Sequence, residues 1–192
     1  MKKIGLTGNI GSGKTTISNV FRTLGIPVFY ADDEAKRLMV EDENLKKELT
    51  RTFGTNVYCD SGINRKHLSE LAFNDASILQ KLNSIVHPVV QNYFKEWCDL
   101  QSSQYIIKEA AILFESGTHK DLEAIICVKC PKSKRVERIL KRDSISVEQI
   151  ESRMRNQWDE EKKSSLSDYI IENDDEHLVI PQVLSIHNDL LK

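Results

Sequence analysis

Long apolar runs are missing from this 192-residue chain. No stretch approaches membrane-spanning length, and Met1-Lys2-Lys3 is followed by too few apolar residues for a signal-peptide core, so a cytoplasmic protein is expected. An excess of one charge is missing too. With 27 basic and 29 acidic residues the net charge is −2, which marks out no nucleic-acid-binding surface, and any basic cluster is expected to serve a small anionic ligand. Cysteine is scarce and lacks a metal pattern. Cys127-Val128-Lys129-Cys130 has C-x-x-C spacing, but no second pair completes a zinc site, and its residues belong to the apolar run Ala124 to Val128, which reads as a buried strand. With Cys59 and Cys98, these fit thiols in a reducing compartment. What remains is 40% hydrophobic and 29% charged without low-complexity tracts, enough for one buried core with inserted flaps. A monomer with no nucleic-acid or membrane partner is expected.

Glycine is also sparse, 8 residues in all, yet three of them fall within six positions of Gly8-Asn9-Ile10-Gly11-Ser12-Gly13-Lys14-Thr15-Thr16. That concentration matches G-x-x-x-x-G-K-[ST], a phosphate-binding P-loop. Its glycines let backbone N–H groups turn inward on phosphate oxygens, and the helix that follows adds a partial positive charge. Nucleotide contacts are therefore expected from Gly8 through Thr16, with Lys14 on the β- and γ-phosphates and the Thr15 hydroxyl on Mg²⁺. The flanks fit. Lys3 to Thr7 reads as a strand, Lys14 to Leu24 as a helix with Ile17, Val20, Phe21 and Leu24 on one face, and Ile26 to Tyr30 as a second strand. A strand–loop–helix–strand unit of this kind predicts a doubly wound parallel α/β fold, with ligands beyond the carboxyl ends of its strands.

That rule selects further residues. After the second strand come Asp32 and Asp33; one can cap the next helix while Asp32 accepts the proton of an attacking hydroxyl. Tyr105 to Lys108 reads as a third strand ending at Glu109, placed to order Mg²⁺, with Glu115 as a second candidate; either can instead be a cap or a surface charge. Glu123 to Val128 and Asp168 to Ile171 complete the strands, and a closing helix packs Val183, Ile186 and Leu190 inward.

Between Glu41 and about Leu100 the pattern turns helical. Ser77 with Gln80 resembles a capping box, and His87-Pro88 predicts a break or kink, with His87 either a ligand contact or structural. In the predicted helix from Lys132 to Lys141, Arg135, Arg138 and the adjoining Arg142 are spaced as a stripe, readable as a solvated face or as a mobile lid over a triphosphate. Arg135, nearest the helix start, is the weakest member of the stripe and could face solvent. Ser146 with Gln149 should cap the next helix.

Several stretches recur together and in order: Ile4 to Gly8 leading into Gly11-Ser12-Gly13-Lys14-Thr15, Ala31-Asp32, Asp60-Ser61-Gly62-Ile63-Asn64-Arg65, Ile85-Val86-His87-Pro88, Ile112-Leu113-Phe114-Glu115, Arg138 to Asp143, and Gln157. In this set the chain resembles the dephospho-CoA kinases from end to end. The resemblance implies ATP-dependent phosphorylation of the ribose 3′-hydroxyl of dephospho-CoA, the last step of coenzyme A synthesis. It implies a five-stranded P-loop core (about 1–40, 101–135 and 166–192), a helical CoA-binding insertion (about 41–100) and a lid (about 136–165). Asp32 matches the family's base; Lys14, Arg138 and Arg142 are assigned to catalysis, Arg65 and His87 with Asp32 to the acceptor, and Thr15 and Glu109 to Mg²⁺. The family often has Asp where this chain has Tyr30, and Asp-x-Pro where it has Glu109-Ala110-Ala111. A nucleoside, nucleotide or shikimate kinase is the nearest alternative. A regulatory GTPase is not, because the guanine-reading Asn-Lys-x-Asp is absent.

Overall fold

The structure, a computed structural model, describes residues 1–60, 62–64, 66–68, 71, 76–143 and 145–192. The chain divides into two compact units, one of Met1–Tyr30 with Gln101–Lys192 and one of Ala31–Leu100.

In the first unit five strands form one parallel sheet. They are β1 (Lys2–Thr7), β2 (Val28–Tyr30), β5 (Tyr105–Glu109), β6 (Ala124–Lys129) and β7 (Tyr169–Glu172), ordered β2-β5-β1-β6-β7. Strand β1 is central, so the loop after it leaves the middle of the sheet at the carboxyl edge, the crevice position expected in a doubly wound fold. The centre reads as near-continuous apolar sequence because it is covered on both faces. Ile4, Leu6, Ile107, Ile126 and Val128 are buried with Ile17 and Phe21 of α1 (Lys14–Thr23) and with Val183, Ile186 and Leu190 of the closing helix Val179–Leu190. Phe21 meets Tyr105 edge to face at 6.5 Å between ring centroids, and the Tyr105 hydroxyl shares a 2.7 Å hydrogen bond with His187 Nδ1, which satisfies the phenol inside the core.

In the second unit α2 (Ala31–Glu41), α3 (Glu43–Phe53) and α4 (Ala76–Asp99) bury Leu38, Leu45, Leu49, Val86, Val90 and Phe94. Asp42 caps α3 by accepting from the backbone N–H groups of Asn44 (2.9 Å) and Leu45 (2.8 Å). A short hairpin, β3 (Tyr58–Cys59) with β4 (Gly62–Ile63), lies between α3 and α4 in sequence.

Two sequence expectations are corrected in α4. His87-Pro88 does not break it, for Pro88 lies inside one continuous helix of 24 residues. Proline removes one backbone donor there, but Val86, Val90, Phe94 and Cys98 are buried at four-residue spacing across the site, and that packing holds the helix through the missing bond. Ser77 is not its cap, because the helix already includes Ala76. The other expected box is present: Ser146 and Gln149 exchange both capping hydrogen bonds, 2.9 and 3.3 Å, at the start of the helix Val147–Arg155.

Candidate functional site

The loop between β1 and α1 is built by glycines that no other residue can replace. Gly13 has φ 93°, and a Cβ there would sit 2.2 Å from Asn173 Nδ2; Gly11 has φ 81°, and its Cβ would sit 2.7 Å from the Arg135 carbonyl oxygen. Because the residue at the N-cap of α1 is Gly13, no side chain caps that helix. A helix start without a side-chain cap suits an incoming anion, reinforced by the helix dipole. Ser12 Oγ and Thr7 Oγ1, both buried beside them, have no hydrogen-bond partner.

Lys14 is held over the loop. Its Nζ donates to the Gly8 carbonyl at 3.0 Å and stands 3.9 Å from Glu109 Oε1. Glu109 ends β5 in register with Leu6 and Tyr30, its residue only 7% exposed. Thr15 and Thr16 are exposed in the first turn of α1. The described residues contain no group of three or more His, Cys, Asp or Glu able to hold a metal. Mg²⁺ asks for less, since it takes one or two hard protein oxygens and leaves the rest to phosphates and water. The Thr15 hydroxyl and the Glu109 carboxylate are of that kind.

A second segment grips the loop from 147 residues away. Gln157 Oε1 accepts the Ile10 backbone N–H at 2.8 Å, and Asn9 Nδ2 donates to the Trp158 carbonyl at 3.1 Å. Trp158 N–H in turn donates to Glu115 Oε1 at 2.7 Å, and the same carboxylate pairs at 2.8 Å with Lys163, whose side chain is wholly buried. Glu115 is thus an internal strut, neither a cap nor a surface charge. A cavity of about 430 Å³ lies among Asn9, Lys132, Arg135, Arg155, Gln157 and Trp158.

The three arginines of α5 (Lys132–Arg142) have three different surroundings. Arg135, the weakest member of the stripe, does not face solvent: it is buried at 6% exposure with its Nε donating to the Cys130 carbonyl at 2.9 Å. Arg138 pairs with Asp175 at 2.5 Å, and its Nη1 lies 3.3 Å from Cys130 Sγ and 3.8 Å from the point where a Gly13 Cβ would be, beside the loop. Arg142 is exposed and pairs with Asp143 through two hydrogen bonds, 2.8 and 3.0 Å. Burial pushes the Cys127 thiol up to about 11, as expected of a strand residue with no redox role.

Asp32, Asp33 and His87 belong to the helical unit. Asp32 is exposed as the second residue of α2, while Asp33 is tied to Lys36 at 2.6 Å; His87 is half-buried in α4. Arg65 and Ser61 lie outside the described residues.

The family model for dephospho-CoA kinase matches residues 2–178. The chain belongs to the dephospho-CoA kinase family. A dephospho-CoA kinase of Bacteroides fragilis is 37% identical over 185 residues, covering 96% of this chain and 90% of its own length. Among solved structures, a Thermus thermophilus protein superposes with a TM-score of 0.88 at 32% identity, covering 100% of this chain and 98% of that one. The dephospho-CoA kinase from Campylobacter jejuni gives 0.69 at 25% identity over 99% and 98%. The protein is therefore a kinase of this family, with ATP as co-substrate and the five-stranded parallel sheet of P-loop kinases. No described helix is long and apolar enough to cross a membrane. Gln157 stood in the sequence motifs without a role and Glu115 as a second candidate near the metal; the hydrogen bonds they accept from Ile10 and Trp158 give each a structural one.

Proposed function

We propose that this chain transfers the γ-phosphoryl group of ATP to the ribose 3′-hydroxyl of dephospho-CoA, giving coenzyme A and ADP, as a cytoplasmic monomer. The observation that carries the reading is the uncapped start of α1 beneath Lys14, in a chain that matches the family along almost its whole length. Amides of the loop and of the start of α1 bind the β- and γ-phosphates and hold them in line, so that positioning and fixed positive charge, more than covalent chemistry, lower the barrier. Lys14 follows the charge onto the bridging oxygen as it develops. Mg²⁺ held by Thr15 and Glu109 supplies further neutralisation at the phosphate oxygens.

A ribose hydroxyl is a poor nucleophile at neutral pH, so Asp32 orients it and accepts its proton. Residues from about 41 to 100 take the acceptor, with Arg65 and His87 contributing contacts. Residues from about 136 to 165 act as a lid that brings Arg138 and Arg142 to the transferring group and excludes water. The test is a coupled assay for ADP with ATP and, in turn, dephospho-CoA, nucleosides, nucleoside monophosphates and shikimate. Turnover with dephospho-CoA, and a new 3′-phosphate resonance in the product, is the expected result. Turnover with a nucleoside or shikimate in its place would overturn the acceptor assignment.

A further inference from the structure

The first limb of the P-loop is held from within at two points: the Ser12 backbone N–H donates to the Asn9 carbonyl at 3.0 Å and Lys14 Nζ to the Gly8 carbonyl at 3.0 Å, while beyond Asn9 the chain turns through Gly11 in the left-handed region. Between those points it is gripped from outside. The Ile10 N–H is one donor that points away from a phosphate in this arrangement, since it ends on Gln157 Oε1 at 2.8 Å. Asn9 is fixed to the next residue along, Trp158. Two consecutive loop residues are therefore docked on two consecutive residues of the corner between the helices Val147–Arg155 and Glu160–Ser165.

That corner is rigid for identifiable reasons. The Gln157 N–H donates to the Met154 carbonyl at 3.0 Å, an i→i−3 bond that closes a tight turn at the end of the preceding helix. Trp158 stacks on Phe114 at 6.2 Å with planes 6° apart, and Lys162 Nζ stands 3.5 Å from its ring centroid on a cation–π contact. Beneath it Lys163 Nζ joins Glu115 and donates to the Ala111 carbonyl at 2.7 Å, fastening the corner to the segment after β5.

From this geometry we infer that Gln157 is a positioning residue: through the Ile10 N–H it sets the first limb of the P-loop, and with it the affinity for nucleotide, from the base of the arginine-bearing lid. The inference rests on the kinase reading for its biological meaning but not for its measurement. A loop ordered before phosphate arrives loses no further conformational freedom on binding; one released at Ile10 must be ordered by the ligand, and affinity falls by that amount. Chemistry is less affected, because Lys14 and the amides after Gly11 are carried by α1.

The experiment titrates ADP into the full chain by calorimetry and follows the Ile10 amide by hydrogen exchange, for wild type, Gln157→Ala and Gln157→Glu. For Gln157→Ala the expected result is a Kd for ADP and a KM for ATP raised about tenfold, a KM for dephospho-CoA and a kcat within about threefold of wild type, and faster exchange at Ile10 with Leu6 unchanged. Gln157→Glu keeps an acceptor at the same reach and should restore protection at Ile10. Unchanged ADP affinity in Gln157→Ala, or weaker affinity with Ile10 still protected, overturns the proposal. A fall confined to kcat would do the same. Wild-type protein that binds ADP but phosphorylates no dephospho-CoA would remove the proposed acceptor and leave this inference standing on the binding data.

Discussion

The two compact units use polar side chains in opposite ways. Among the described residues of the helical unit the ion pairs are local: Lys36 with Asp33, Lys46 with Glu43, Arg51 with Glu48, and Arg37 between Glu34 and Glu41, each three or four residues apart on one exposed or half-exposed helix face. In the sheet unit several decisive contacts join residues far apart in sequence and partly or wholly buried: Gln157 to Ile10, Lys163 to Glu115, Asn173 to Ser12. Local exposed pairs contribute about 0.3–0.5 kcal/mol each and mainly favour helix, whereas remote buried ones decide where a backbone group points. The sheet unit is built for placement, the helical unit for holding its helices together.

Substitutions should separate those two uses. The largest effect is expected at Lys14: Lys14→Ala should lower transfer by about 10³-fold or more while the circular-dichroism spectrum stays that of the folded chain, because losing its contacts to the Gly8 carbonyl and Glu109 costs stability without removing an element of the fold. Activity within tenfold of wild type would take the P-loop out of the mechanism. Next is the one functional carboxylate assigned to the helical unit. Asp32→Asn should cut kcat by about 10²–10⁴ with ATP affinity unchanged, and Asp33→Asn, whose carboxylate already pairs with Lys36, should do much less. Equal losses would mean the base is misassigned.

Stability offers the most direct contrast. Lys163→Met leaves Glu115 buried without its cation and should lower unfolding free energy by about 3–5 kcal/mol in urea titrations, against less than about 0.5 kcal/mol for Arg51→Ala. If both variants lose alike, the distinction between the units fails. Smaller still are the lid arginines, where Arg138→Ala and Arg142→Ala should each reduce kcat about tenfold or more without shifting the melting temperature, Arg138 more so because it already borders the loop. The mildest test is chemical. A thiol reagent at pH 8 should label Cys59, which is exposed, and leave Cys98, Cys127 and Cys130 unmodified until the chain unfolds; early labelling at Cys127 would contradict its buried strand position.

Much of the fold was legible because its signals are local. Glycine spacing, short apolar runs and the Ser146–Gln149 box can be read within a few residues, and the five strands fall within a residue or two of where the pattern places them. Pro88 misled for the complementary reason: the local rule against proline is sound, but the stripe Val86, Val90, Phe94 was the stronger influence, and its burial is a tertiary fact. Arg135 misled in the same manner, since nothing within α5 shows that Cys130 would offer its carbonyl. Lys163 is one of two adjacent lysines in an outwardly charged hexapeptide, and Glu115 lies 48 positions earlier. A partnership at that separation has no periodicity to betray it.

Asn173, just past β7, gives the loop its far wall: its Nδ2 donates to the Ser12 carbonyl at 2.7 Å and occupies the space that a side chain at position 13 would need. The order of synthesis gives that contact a meaning of its own. A ribosome makes Ser12 161 residues before Asn173, so over that stretch of translation a nascent chain carries the phosphate motif without the wall that shapes it. The loop therefore gains this wall only once β7 has emerged and paired with β6, and a chain arrested before that strand holds the motif without the contact.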